Sequence, residues 1–97
     1  MAPKQENVSP VEVEEVLLQH PAVAEAGVVG VPDPVYGEEI KAFVVTKAGK
    51  HAGEEELIAF CKERLPNFKT PKKVQFIKSL PRNILGKVLR AELRQLG

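Results

Sequence analysis

Val23-Ala24-Glu25-Ala26-Gly27-Val28-Val29-Gly30-Val31 is the stretch on which the fold turns. Valine, alanine and glycine fill it, with Glu25 as its one charge, and such density of β-branched and small residues predicts a buried strand. Pro32-Asp33-Pro34 predicts a turn after it, with Tyr36-Gly37 continuing the loop. A second strand is expected over residues 40–47, where Phe43-Val44-Val45 is the strongest β signal. The break between the two is long enough for a wide hairpin or a small crossover. On the N-terminal side, Ser9-Pro10-Val11-Glu12 reads as a helix start. Ser9 can cap, Pro10 suits the first helical position and Glu12 completes a capping box. Val13, Val16 and Leu17 then recur at i, i+3 and i+4, and His20-Pro21 closes the helix, because a residue before proline is pushed out of the α region.

On the C-terminal side, residues 48–53 form a polar, glycine-containing loop. Glu54, Glu55 and Glu56 place negative charge in a helix's first turn, where the dipole favours it. Leu57, Ile58, Cys61 and Leu65 make that helix's apolar stripe, Pro66 ends it, and residues 67–71 are expected to be an extended linker. Residues 72–79 alternate as a third strand would, with Val74 and Phe76 on one side. A loop over residues 81–87 precedes a terminal helix over residues 88–96, whose apolar face is Leu89, Leu93 and Leu96. The order is α-β-β-α-β-loop-α: a compact α+β domain with a three-stranded sheet and helices packed on it, one domain across residues 1–97.

With 43% hydrophobic and 28% charged residues, the composition is that of an ordinary globular domain and argues against disorder. No apolar run approaches the roughly 20 residues needed to span a bilayer, and Met-Ala-Pro-Lys-Gln-Glu at the start has no apolar core for a signal peptide. The single Cys61 cannot form an intramolecular disulfide, so a cytoplasmic protein with no membrane partner is expected. Charge is divided along the chain. Residues 1–61 carry 4 Lys/Arg against 11 Asp/Glu, net −7, whereas residues 62–97 carry 10 against 2, net +8. Such asymmetry suggests a basic surface meeting an anion, while most individual lysines read as solvated.

Two histidines and one cysteine cannot assemble a zinc site. His20 and His51 are expected to be solvated, and Cys61, on an apolar stripe, to be a buried structural thiol. Gly86-Lys87 does not complete a P-loop, since Pro81 and Val88 stand where glycine and serine or threonine are needed. Only Phe68 and Phe76 lie among the C-terminal charges, too few for a base-stacking platform, so nucleic acid is not expected as a partner. Pro81-Arg82-Asn83-Ile84-Leu85-Gly86-Lys87 is different. Gly86 admits backbone angles costly for other residues, letting Lys87 stand clear of the fold. An ammonium on a flexible stem suits a phosphate or carboxylate that another surface holds in place.

Asn7-Val8-Ser9-Pro10-Val11-Glu12-Val13-Glu14, His20-Pro21-Ala22-Val23, Val29-Gly30-Val31-Pro32-Asp33, Tyr36-Gly37-Glu38, and Pro81-Arg82-Asn83 with Gly86-Lys87 follow one another in register. Together they resemble the C-terminal lid domain of the adenylate-forming (AMP-binding) superfamily, and most closely its acyl- and aryl-CoA synthetases. The resemblance implies a two-step reaction, in which acid and ATP give acyl-AMP and pyrophosphate, and the CoA thiol then displaces AMP. It implies that a large N-terminal domain, normally covalent, holds ATP, Mg2+ and the acid, and that the lid swivels, donating Lys87 to the adenylation step. Pro81, Arg82, Asn83 and Gly86 would support that lysine. Glu6, Asn7 and Val8 would face CoA in the second pose, although Pro3-Lys4-Gln5 replaces the family's glycine pair there. The chain resembles a lid cut just after its hinge, binding no metal or cofactor by itself and inactive alone. Lys87 also resembles the family's target for lysine acetyltransferases. The competing reading is a stand-alone anion-binding, nucleic-acid-binding or interaction module using the basic C-terminal third.

Overall fold

The computed structural model describes residues 10–33, 35 and 37–96. The chain runs α1 (Pro10–Leu18), β1 (Val23–Asp33), β2 (Gly37–Thr46), α2 (Glu54–Lys62), a 3-10 turn (Asn67–Lys69), β3 (Lys73–Phe76) and α3 (Arg90–Leu96). The three strands form one sheet in the order β1-β2-β3, with β1 antiparallel to β2 and β3 parallel to β2. This is the expected α+β order, and the break after β1 is an antiparallel hairpin.

Both faces of the sheet are covered, which is why its strands read as nearly continuous apolar runs. On one face Ala26, Val28, Ala42, Val44 and Val74 pack against Val13, Val16 and Leu17 of α1 and Leu57 and Cys61 of α2. On the other, Val29 and Phe43 pack against Leu80 and Leu93, with Val31, Val45, Ile77 and Val88 around them. Val23 joins the first face, out of phase with Ala26 and Val28, because the register shifts between Val23 and Glu25. A β-bulge moves one residue out of the alternation in this way. Gly27 faces α3: a Cβ there would lie 2.8 Å from Leu93 Cδ1 and 3.2 Å from Leu80 Cδ2. The glycine lets the helix approach the strand closely.

Several expected boundaries shift. β1 runs through Pro32 to Asp33, and Pro32 pairs with Glu38 in the hairpin. Proline is tolerated there because β1 is an edge strand, whose outward amides need no ladder partner. Gly37 opens β2 rather than continuing the loop, and residues 67–69 form a 3-10 turn rather than an extended link. α2 ends at Lys62, before Pro66, although the Leu65 amide still donates to the Cys61 carbonyl at 2.8 Å. β3 is short, and Phe76 is 41% exposed while Val74 is buried. α3 begins at Arg90, since Val88 is held in a bridge to Arg82, and Leu96 remains exposed. The Ser9 cap lies outside the described residues.

His20, expected to be solvated, is 8% exposed. Its Nδ1 accepts the Ala22 N–H at 3.1 Å, which leaves Nε2–H to donate to Glu56 Oε2 at 2.9 Å. The ring also packs edge-on against Phe60, 5.0 Å between centroids. His20 therefore ties the α1–β1 corner to α2.

Each free edge of the sheet is closed by a carboxylate from a helix. On the β1 edge, the Val28 N–H donates to Glu14 Oε2 at 2.9 Å, and Arg90 Nε donates to the Val28 carbonyl at 3.2 Å. Arg90 Nη2 also meets both Glu14 oxygens, at 3.0 and 2.8 Å. Two residues on, Arg94 Nε donates to the Gly30 carbonyl at 3.1 Å. On the β3 edge, the Val74 N–H donates to Glu54 Oε2 at 2.8 Å. Charged caps of this sort stop an edge strand from pairing with another chain.

Two stability outcomes are expected. Gly27→Ala should cost about 1–3 kcal/mol by overpacking, and clearly less in a Leu93→Ala background, because the two side chains compete for one space. Urea unfolding of the four variants reads this coupling. Glu14→Ala should cost about 2–3 kcal/mol, since it strands both the Val28 amide and the Arg90 guanidinium. Arg90→Lys should not recover the native value, because an ammonium cannot reproduce the fork.

Candidate active-site loop

Residues 81–89 form a tight hairpin. Its base is the Arg82–Val88 bridge and the Leu89 N–H to Pro81 carbonyl bond at 2.8 Å. Above it, the Asn83 N–H donates to the Lys87 carbonyl and the Gly86 N–H to the Asn83 carbonyl, both at 2.9 Å. Gly86 has φ +88°, and among the described residues no non-glycine has a positive φ. This is the pattern of a type I turn over Asn83–Gly86 closed by a left-handed glycine bulge. Asn83 suits the first turn position because its side chain can bond amides further on. Here Oδ1 accepts the Leu85 N–H at 2.9 Å and the Lys87 N–H at 3.0 Å.

Arg82 fastens this turn to the sheet. Nη1 donates to the Gly86 carbonyl at 2.7 Å, and Nη2 donates to Glu25 Oε1 on β1 at 3.1 Å. Behind the hairpin, Arg90 holds the start of α3 on the β1 edge. The backbone of Lys87 is thus fixed from several sides, while its side chain is exposed and its ammonium has no hydrogen bond or ion pair among the described residues. Ile84 is 100% exposed and Leu85 82% exposed, so the same turn presents two apolar side chains to solvent.

Pro81, Arg82, Asn83, Gly86 and Lys87 are therefore brought together as the sequence implies. Glu6, Asn7 and Val8, the expected CoA-facing residues, lie outside the described residues. Glu25, Glu14 and Arg90 were not foreseen as supports. Glu14 and Arg90 stand 76 positions apart, and no local pattern connects them. Cys61 is buried, and that burial pushes its thiol up to about 11 against a weaker opposing pull from Arg64. It is a protonated thiol at neutral pH, not a nucleophile. Among the described residues no cluster of three or more His, Cys, Asp or Glu is placed to hold a metal ion, and no helix is long and apolar enough to cross a membrane.

Residues 12–87 match the model of the AMP-binding enzyme C-terminal domain, and the chain belongs to that family. It is similar to 2-succinylbenzoate–CoA ligase of Bacillus cereus strain Q1, 56% identical over 91 residues, which cover 94% of this chain and 18% of that protein. Among solved structures, a fatty acyl CoA synthetase of Mycobacterium tuberculosis superposes with a TM-score of 0.85 at 41% identity, covering 94% of this chain and 18% of that one. The o-succinylbenzoate CoA synthetase of Bacillus subtilis, solved as a double mutant with a product analogue, gives 0.87 at 48% identity, covering 93% and 18%. The chain thus spans about a fifth of the length of the CoA ligases it matches.

Asn83→Ala should release the Leu85 and Lys87 amides. Their hydrogen exchange should accelerate at least about tenfold, the worth of a hydrogen bond to each, while the β1 and β2 amides keep their protection. Gly86→Ala should loosen the same hairpin by about 1–2 kcal/mol, the cost of a Cβ in the left-handed region.

Proposed function

We propose that this chain is the mobile lid of an ATP-dependent acyl- or aryl-CoA synthetase, and that Lys87 is its catalytic lysine. The observation that carries the reading is the lysine itself: a locked backbone and an exposed ammonium with no partner among the described residues, in a chain of this family. In the adenylation step a carboxylate oxygen attacks the α-phosphorus of ATP, the bond to the β-phosphate oxygen breaks, and pyrophosphate leaves. Negative charge on the α-phosphoryl oxygens and the attacking carboxylate must be brought together in that transition state. An ammonium delivered into a water-poor cleft stabilises this charge directly. The role is electrostatic and positional, with no proton transferred.

ATP, Mg2+ and the acid would be held by a large N-terminal domain, so the isolated chain is inactive in this reading, since proximity is the larger part of the acceleration. In the thioester step the CoA sulfur attacks the acyl carbon and AMP leaves with the bonding pair. Glu6, Asn7 and Val8 are assigned to the face that borders CoA then. Acetylation of Lys87 by a lysine acetyltransferase would remove the charge and stop adenylation without touching the fold, and the exposure of the side chain supports such access. The compartment assigned in this reading is the cytoplasm, where ATP and CoA are both available.

The test is pyrophosphate release in trans. A large domain lacking its lid, supplied with ATP, Mg2+ and its acid, should gain activity when this chain is added. Lys87→Ala should lower that rescue by about 100- to 1,000-fold, the usual loss for one transition-state donor, with unchanged chain stability. Equal rescue by both proteins would remove Lys87 from the mechanism, and no rescue by a folded native chain would remove the lid reading in its non-covalent form.

A further inference from the structure

Far from Lys87, at the hairpin end of the sheet, lies an open pocket of about 360 Å3 lined by Val31, Pro32, Glu39, Lys41, Lys73 and Arg94. Val31 is six residues along β1 from Glu25, the anchor of the Lys87 loop, a separation of about 20 Å at the rise of a strand. Lys41 is the unusual member. It is 8% exposed, yet its ammonium has no hydrogen bond or ion pair among the described residues. It stands 5.0 Å from the centroid of the Phe43 ring. A ring face alone does not offset the water an ammonium loses on burial.

The strand register compounds the cost. Lys41 pairs with Lys73 across the β2–β3 ladder, so two like charges stand side by side on one face, an arrangement that destabilises a sheet. Glu39 meets Lys73 at 3.5 Å, a loose pairing that leaves Lys41 unanswered. Arg94 is held over the same end of the sheet by its Nε bond to the Gly30 carbonyl, leaving its terminal nitrogens available. Among the described lining residues, three cations and one carboxylate sum to net +2.

We infer that this pocket is a phosphate site: it takes a phosphate dianion, either inorganic phosphate or a phosphomonoester, bound by Lys41, Lys73 and Arg94. A dianion would cancel the excess charge, relieve the Lys41–Lys73 repulsion and replace the water that Lys41 has lost. Charge-assisted hydrogen bonds from an ammonium and a guanidinium are the strong kind. The inference is independent of the role given to Lys87.

Amide spectra of the 15N-labelled chain, titrated at pH 7.5 and constant ionic strength, test it. The probes are inorganic phosphate, glycerol 3-phosphate and succinate. Saturable shifts confined to Val31, Glu39, Lys41, Lys73 and Arg94 are expected with the phosphates. Binding of inorganic phosphate alone would identify the free ion as the occupant, and binding of both would admit the ester. Lys41→Met, which keeps the stem and removes the charge, should weaken binding about tenfold. Arg94→Gln, at an exposed position, provides the same measurement should Lys41→Met fail to fold. Shifts of equal size at Lys50 and Lys78, saturation by succinate alone, or native affinity in a folded variant would each overturn the assignment.

Discussion

The Glu14–Arg90 pair is the interaction on which the geometry of this domain depends. A three-stranded sheet has two open edges, and the β1 edge is the long one. Glu14 takes its Val28 amide and Arg90 its Val28 carbonyl, while the two side chains bond each other at 2.8 Å. One residue's backbone is thereby satisfied by a helix that precedes the strand and a helix that closes the chain. The pair is mostly buried, with Glu14 at 12% and Arg90 at 32% side-chain exposure. Its desolvation cost is offset by the bonds of both Glu14 oxygens and of Arg90 Nε and Nη2; removing either side chain leaves the other stranded.

That clamp has a consequence at the Lys87 loop. α3 is seven residues long, too short to be stable by itself. It is held by Leu93 against Gly27 and by Arg90 and Arg94 on the β1 edge. The hairpin of residues 81–89 enters that anchored helix at one side and leaves the buried Leu80 at the other. Arg82 closes the gap to Glu25. A flexible side chain on a rigid backbone costs less ordering entropy on engagement than a flexible loop would. This fits a lysine that must enter another domain's cleft and withdraw again.

What the sequence disclosed and what it hid follow a physical line. Val13, Val16 and Leu17, the valine run of β1, and the Gly86-containing loop of residues 81–87 are local patterns, and each was legible because period and glycine's backbone freedom act over a few residues. Pro32 misled because its effect depends on whether the strand lies at an edge, which is a tertiary fact. His20 looked like a solvated helix end, but its burial depends on Glu56 and Phe60, 36 and 40 positions away. Val88 read as helix until its pairing with Arg82 is counted. Glu54 was legible as a dipole partner but not as the cap of the β3 edge, since Val74 comes twenty residues later. Lys41 sits in a strand whose alternation says only that it shares a face with Phe43.

Part of the charge division of the sequence is spent inside the molecule. Glu12 pairs with Lys69, Glu14 with Arg90, Glu25 with Arg82 and Glu39 with Lys73. Each pair joins the acidic first part of the chain to the basic remainder. At exposed sites such pairs contribute little stability individually, but their common direction specifies how the last third docks on the first. A basic tract that reads as a docking surface in the sequence is thus in part a seam. What the seam leaves over is more informative than the net charge. Among the described residues neither Lys87, with its fixed backbone, nor Lys41, with its buried stem and its place opposite Val29, has an anion. In both cases the fold holds a cation where only a group from outside the described residues can answer it.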